Sequence, residues 1–130
     1  MGENAVKLVD TSGWVEYLRP GLSEVGERVE VLLLSDEAAW CDMAMLELWN
    51  GARGQSEKRR LAELQSTAVR LQTSDEVWAL AHRLAISCRD KGHTFPAADL
   101  LVAACAAHHG VELEYKNSHF DDLMPIAASL

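Results

Sequence analysis

The sequence predicts an α/β fold in which helices cover both faces of a mostly parallel central sheet of four or five strands. Two observations carry this prediction. Short apolar runs alternate with pairs of helical segments in the order β-α-α-β-α-α-β-α-α-β, which is typical of parallel sheets. The chain also has 130 residues with 48% hydrophobic content, so residues 1–130 are expected to form one domain around its own core.

In the first half, element boundaries follow from apolar periodicity and from residues that stop or cap helices. Pro20 and Gly21 end the first helix. Asp42 is predicted to cap a later helix, because its side chain can accept a bond from an early helical amide. The predicted elements are a strand over 5–9, helices over 11–19 and 23–34, a strand over 38–41, and helices over 43–53 and 56–64.

In the second half, Thr73 and Glu76 have the spacing of a capping box for a long helix that reaches about Arg89. Pro96 precedes the next helix and Gly110 ends it. The remaining predicted strands span residues 68–72 and 111–115.

The formal net charge of −8 opposes nonspecific attraction to nucleic acid, so any RNA contact must be local. One dense basic segment lies within ARGQSEKRR, residues 52–60. Its basic side chains form either a local RNA-binding surface or an ordinary solvated helix face. These side chains are Arg53, Lys58, Arg59 and Arg60.

No run approaches the eighteen or so apolar residues of a membrane span, and the first residues have no basic region leading into an apolar stretch. We therefore expect no membrane span and a cytoplasmic location. The cysteines are widely separated in apolar surroundings, which predicts buried free thiols at Cys41, Cys88 and Cys105.

Three acidic residues lie at the end of a predicted strand or early in a predicted helix. Asp10 ends the first strand, Glu47 lies one turn inside the helix after the second strand, and Asp99 lies in the first turn after Pro96. Ligands of open parallel sheets bind beyond the carboxyl ends of the strands, so these acids are expected to converge there. Grouped carboxylates favour a cation, and oxygen ligands suit Mg²⁺ or Mn²⁺. Each acid alone also has an ordinary interpretation, as a helix cap, a surface residue or a partner of a helix dipole.

Three segments together resemble the motifs of the PIN domain family. LVDTSGWVEYL resembles the opening strand and helix, LELWNGAR the second motif with its glutamate, and DLLVAACAAHHGVEL the third. Their order and spacing cover nearly the whole chain, whose length is similar to that of VapC-type toxins. The resemblance implies a PIN-like α/β/α sandwich.

This resemblance also implies a metal-dependent endoribonuclease with RNA as substrate and Mg²⁺ or Mn²⁺ as cofactor. Asp10, Glu47 and Asp99 would be its catalytic and metal-binding residues, and Thr11 and Ser12 would orient Asp10 or a bound water. A VapC-type toxin would further have a cognate VapB-type antitoxin, which fills the acidic groove, and would form a homodimer.

At the fourth acidic position the sequence departs from the family pattern. PIN domains commonly carry Thr-x-Asp-x-Asp/His-Phe after the last motif, and alignment on His119 and Phe120 puts Asn117 where the aspartate stands. An asparagine removes one negative charge, although its carbonyl oxygen can still ligate a metal weakly. Asp121 is the other candidate for this position. His119 is either a phosphate contact or a solvent-facing loop residue.

Two other functions are compatible with the sequence. A PIN fold with weakened catalysis would act as an RNA-binding or protein-binding module. A phosphate-transferring enzyme with Asp10 as nucleophile fits less well, because haloacid dehalogenases have a second aspartate where this chain has Ser12.

Overall fold

A four-stranded sheet lies at the centre of the computed structural model, which describes residues 6–130. Its strands follow the order β3-β2-β1-β4, and all neighbouring pairs are parallel. Leu8 is paired with Ala39 on one side and Leu113 on the other. The predicted α/β fold with a mostly parallel sheet is confirmed. The strands are β1 (Lys7–Val9), β2 (Ala38–Cys41), β3 (Val69–Leu71) and β4 (Leu113–Glu114).

Every helix that the sequence predicts is present, and the structure adds one at the C-terminal end. None of the helices within residues 6–130 is long and apolar enough to cross a membrane. The helices are α1 (Thr11–Leu18), α2 (Glu24–Leu34), α3 (Asp42–Gly51), α4 (Gly54–Thr67), α5 (Asp75–Asp90), α6 (Ala97–His109) and α7 (His119–Ala128).

The unpredicted helix α7 buries Phe120, Leu123 and Ile126, which have the three-residue spacing of an amphipathic helix. Its pattern is short, begins among polar residues and contains Pro125, which lacks the backbone N–H of a helical residue. Packing of α7 against α5 and α6 therefore stabilises a helix that local preference alone does not indicate.

The core has two parts, one on each face of the sheet, because successive strand residues point to opposite faces. Leu8 packs on the side of α5, α6 and α7, whereas Val9 packs with α1, α2 and α4. The predicted buried free thiols are confirmed at all three cysteines. Burial on both faces holds β1 in the middle of the fold, so the residue after it, Asp10, has a well-defined position.

Two predicted helix caps are wrong. Asp42 is the first residue of α3 and its side chain does not cap the helix; the carboxylate accepts bonds from Arg70 Nε (2.9 Å) and from the backbone N–H of Thr73 (3.3 Å). The N-cap of α5 is Ser74 in place of Thr73, and its hydroxyl accepts from the N–H of Val77. At Asp42 the neighbouring strand β3 supplies the partner, which the local sequence pattern does not indicate. At α5 the cap lies one residue further along the chain than predicted.

Candidate active site

Asp10 is a buried carboxylate at the carboxyl end of β1, with only 3% of its surface exposed. It is the N-cap of α1, and its Oδ2 accepts bonds from the backbone N–H of Ser12 (3.0 Å) and from the Ser12 hydroxyl (2.8 Å). Its own N–H donates to the carbonyl of Glu114 (3.0 Å). The helix therefore holds the side chain of Asp10, and the neighbouring strand holds its backbone.

Burial raises the pKa of Asp10 above its ordinary value, because the charged form loses hydration. The hydrogen bonds from Ser12 oppose this rise, and the negative charge of Asp99 adds to it. Within residues 6–130, no lysine or arginine forms an ion pair with either carboxylate. A largely buried acidic pair with no lysine or arginine partner in this range is an arrangement that a cation would stabilise, although His119 contacts Asp99.

The Ser12 hydroxyl connects Asp10 to the segment after β4. While donating to Asp10, its Oγ accepts bonds from the backbone N–H groups of Lys116 (2.9 Å) and Asn117 (3.0 Å). One side chain thus fixes the position of the carboxylate relative to the loop that carries the predicted fourth site residue.

Asp99 lies in the first turn of α6, with 14% of its side chain exposed. Its Oδ2 accepts from Asn117 Nδ2 (3.3 Å) and lies 2.8 Å from His119 Nδ1. The Asn117 carbonyl oxygen in turn accepts from the backbone N–H of His119 (3.0 Å). Asp10, Ser12, Asn117 and Asp99 therefore form one continuous network across the top of the sheet.

Glu47 lies at the rim of this network, on the exposed side of α3. Its Oε1 accepts a bond from the Thr11 hydroxyl at 2.6 Å. Thr11 therefore orients Glu47, whereas Ser12 alone supplies a hydroxyl to Asp10. Among residues 6–130, no three His, Cys, Asp or Glu side chains are grouped closely enough to hold one metal ion together. The structure brings Asp10 and Asp99 together, and shared ligation by all three acids stays a prediction.

Asp121, the other candidate for the fourth position, has a partner away from the acidic pair. Its Oδ1 accepts from the Tyr115 hydroxyl at 2.7 Å, and this hydrogen bond raises the pKa of Tyr115 to about 12. Asn117, in contrast, contacts Asp99 directly. The two candidates therefore differ in which side chain they engage, although sequence spacing did not separate them.

The basic segment begins at Arg53, just before α4, and continues along that helix. Arg60 donates to the carbonyl of Leu18 (3.0 Å) and lies over the ring of Tyr17, with 5.6 Å between guanidinium and ring centre. Lys58 and Arg59 are exposed and form no ion pair within the described part of the chain. The segment thus contains both a structural arginine and freely accessible charges.

A parallel sheet with two neighbouring carboxylates beyond the end of an inner strand places this protein in the class of α/β domains that group acidic residues at the carboxyl edge of the sheet. The chain belongs to the PIN domain family, which it matches over residues 7–123.

Similar proteins include two ribonucleases of Mycobacterium tuberculosis. VapC11 is 32% identical over 119 residues, which is 88% of each chain, and VapC21 is 30% identical over 111 residues, which is 83% of this chain and 80% of that protein. The structure of VapBC2 from Rickettsia felis, bound to a DNA fragment from its promoter, has the same fold with a TM-score of 0.75 at 15% identity. It covers 93% of this chain and 94% of that one. The predicted resemblance to VapC-type proteins is confirmed.

Proposed function

We propose that this protein is a metal-dependent endoribonuclease that hydrolyses RNA phosphodiester bonds as the toxin of a VapBC-type system. The observation that carries the proposal is the pair Asp10 and Asp99, which are close together and largely buried and which, within residues 6–130, have no lysine or arginine partner. Relatives named as VapC ribonucleases support the same activity. The oxygen donors of the site suit a hard divalent cation such as Mg²⁺ or Mn²⁺.

In this proposal, Asp10 and Asp99 would hold the ion, and Glu47 would contribute from the rim as a further ligand or by orienting a water. A divalent ion bound there supplies a Lewis acid that lowers the pKa of water and offsets charge on the phosphate. Ser12 keeps the Asp10 carboxylate in one orientation, and Thr11 does the same for Glu47. Asn117 donates to Asp99, which offsets part of the negative charge of the pair and leaves both carboxylates in place.

The function is tested by incubating the purified chain with single-stranded RNA and following fragment formation on a gel. We expect internal cleavage with Mg²⁺ or Mn²⁺ and none with excess chelator, because the acidic pair needs the cation. Restoring the metal should restore cleavage. Cleavage that continues undiminished in chelator would overturn the proposed mechanism.

RNA must approach an acidic protein through a local basic surface, and Lys58 and Arg59 are the accessible charges of the basic segment. The double change Lys58→Glu and Arg59→Glu should weaken RNA binding and reduce the slope of log affinity against log salt by up to about 0.7 per lost phosphate contact. Binding is measured by fluorescence anisotropy over a salt series. The control is Arg83→Glu with Arg89→Glu, which changes the net charge equally on α5. Equal losses in both proteins would show that only net charge matters.

Asn117 allows the fourth position to be tested directly. The substitution Asn117→Asp adds a carboxylate beside Asp99, and it should tighten Mg²⁺ binding severalfold, since one added charge contributes on the order of 1 kcal/mol in water-like surroundings. Cleavage should rise at limiting Mg²⁺ and change little at saturation. Asp121→Asn should be nearly silent, because that carboxylate engages Tyr115. An unchanged metal midpoint in Asn117→Asp, together with a collapse of activity in Asp121→Asn, would assign the position to Asp121.

The same titration decides the alternative function of a catalytically weakened binding module. In that case the unaltered chain binds RNA without cutting it, and Asn117→Asp creates metal-dependent cleavage. Under our proposal the unaltered chain already cleaves, and the substitution only shifts its metal requirement.

We further propose a VapB-type antitoxin partner, a homodimer and action in the cytoplasm, where RNA is available. A cavity of about 260 Å³ lies beside Glu47, and Val15, Leu18 and Leu61 contribute apolar walls. An antitoxin segment seated there would cover the acidic rim. A small reading frame adjacent to the gene should encode this partner, and its product should co-purify with the chain and suppress cleavage. Light scattering of the chain alone measures the expected dimer mass.

A further inference from the structure

Three rings form a continuous row beside the acidic pair. His93 and Phe95 are stacked, with 5.6 Å between ring centres and 15° between ring planes. His119 lies at one end of the row. Its ring centre is 6.0 Å from that of Phe95, with 67° between the ring planes. The His119 ring also contacts Asp99, with 2.8 Å between Nδ1 and Oδ2. The row therefore starts at the site and leads away from it.

Two separate parts of the chain build this row. His93 and Phe95 lie in the loop between α5 and α6, directly before the turn that carries Asp99, and His119 begins α7. The side chain of His119 is 50% exposed, while His93 and Phe95 are partly exposed. Solvent can thus reach flat ring surfaces within one side chain of Asp99.

Ordinary packing accounts for only part of this arrangement. Phe95 packs against the core cluster beneath α5 and α6, which explains an apolar residue there. It does not require one imidazole ring stacked on the phenyl ring and a second set edge-on to it. An aliphatic side chain would fill the same space at the core.

The charge of the protein indicates what such rings are suited to bind. With a net charge of −8, the surface repels the RNA backbone. Stacking of a base on an aromatic ring does not depend on opposite charges and is tolerant of sequence. A paired base is already stacked inside a helix, so accessible rings favour unpaired nucleotides.

We propose that His93, Phe95 and His119 form a stacking surface for an unpaired base of the RNA, next to the bond that is cut. This inference rests on the proposed ribonuclease function and names the side chains that would hold a base of its substrate. Base stacking would place a nucleotide next to Asp99 and so add affinity that electrostatic attraction does not provide.

The test uses the full chain carrying Asp10→Asn, which retains bound RNA without cleavage. Fluorescence anisotropy is measured with a short single-stranded RNA, with the same RNA lacking its bases, and with a duplex. Phe95→Leu keeps an apolar group against the core and removes the ring, and Phe95→Tyr retains a ring. Trp78→Leu removes an exposed ring on α5 whose neighbour is His82, so it serves as the control.

Phe95→Leu should lower the affinity for single-stranded RNA roughly tenfold without changing the salt slope, as expected for one lost stacking contact. Phe95→Tyr and Trp78→Leu should bind as the parent does, and affinities for base-free RNA and duplex should not change. His93→Leu should give a similar loss, which keeps the test valid if Phe95→Leu folds poorly. Equal binding by the parent and both leucine variants would overturn the stacking surface and leave the ribonuclease intact. If the Asp10→Asn parent binds no RNA and the unaltered chain cuts none, the stacking surface and the ribonuclease function would both be overturned.

Discussion

Replacing Asp10 with asparagine is expected to abolish RNA cleavage while raising the thermal stability of the metal-free protein. The change removes a charged oxygen ligand from the acidic pair. Metal-assisted catalysis contributes several kcal/mol, and each 1.4 kcal/mol or so is a factor of ten, so the rate should fall by roughly a hundredfold or more. Asp99→Asn should give a comparable loss of activity for the same reason.

The expected gain in stability follows from the direction of the Asp10 pKa. Burial raises this pKa in the folded protein, so the fold disfavours the charged form. At neutral pH the carboxylate therefore lowers stability, and this penalty disappears as the pH falls through the folded pKa. An asparagine keeps the shape and an oxygen that accepts from Ser12 without carrying the charge. The melting temperature of Asp10→Asn should exceed that of the parent at neutral pH, with a smaller difference in acid.

Asp122→Asn is the matched control, since it makes the same chemical change at an exposed position of α7. Its cleavage rate and melting temperature should both be close to those of the parent. Full activity in purified Asp10→Asn would exclude the site. A lower melting temperature in that variant would show that Asp10 contributes to folding as a charged group.

Ser12→Ala should reduce both stability and cleavage. The alanine leaves the N–H groups of Lys116 and Asn117 without their side-chain acceptor, and it removes one of the donors to Asp10. An unsatisfied, partly buried group costs about 1–3 kcal/mol, which sets the expected loss in the free energy of unfolding. Loss of a residue that orients a metal ligand typically lowers activity or metal affinity by about 10- to 100-fold. Urea denaturation and a Mg²⁺ titration of cleavage measure the two effects.

Thr11→Val provides the comparison for Ser12→Ala, because it removes the neighbouring hydroxyl while keeping its shape. The Thr11 bond to Glu47 is exposed, so stability should change by less than about 0.5 kcal/mol. Cleavage should fall only to the extent that it requires the Thr11 bond to orient Glu47. If the two variants lose equal stability, the bridge from Ser12 to the loop after β4 has no special role.

Local patterns predicted most of the fold because they depend on neighbouring residues. The left-handed Gly110 ends α6 as expected, since this conformation favours glycine. Helix α7 was missed because its pattern is short and interrupted by Pro125. The cap at Asp42 was wrong because its partner, Arg70, comes from elsewhere in the chain. The cap of α5 was wrong by one residue, since Ser74 and not Thr73 accepts from the N–H of Val77.

The site shows the same division between local and distant information. The sequence by itself determined that Asp10 follows a strand and that Glu47 and Asp99 lie early in helices, since strand ends and helix starts are properties of short segments. Only the tertiary structure decided that Ser12 bonds to a loop 105 residues further along the chain, that Asn117 contacts Asp99, and that His119 meets Phe95. The physical reason is that side chains distant in sequence meet through packing on both faces of the sheet. Periodicity and capping motifs describe one segment at a time, so they do not show which side chains of a distant segment will contact it.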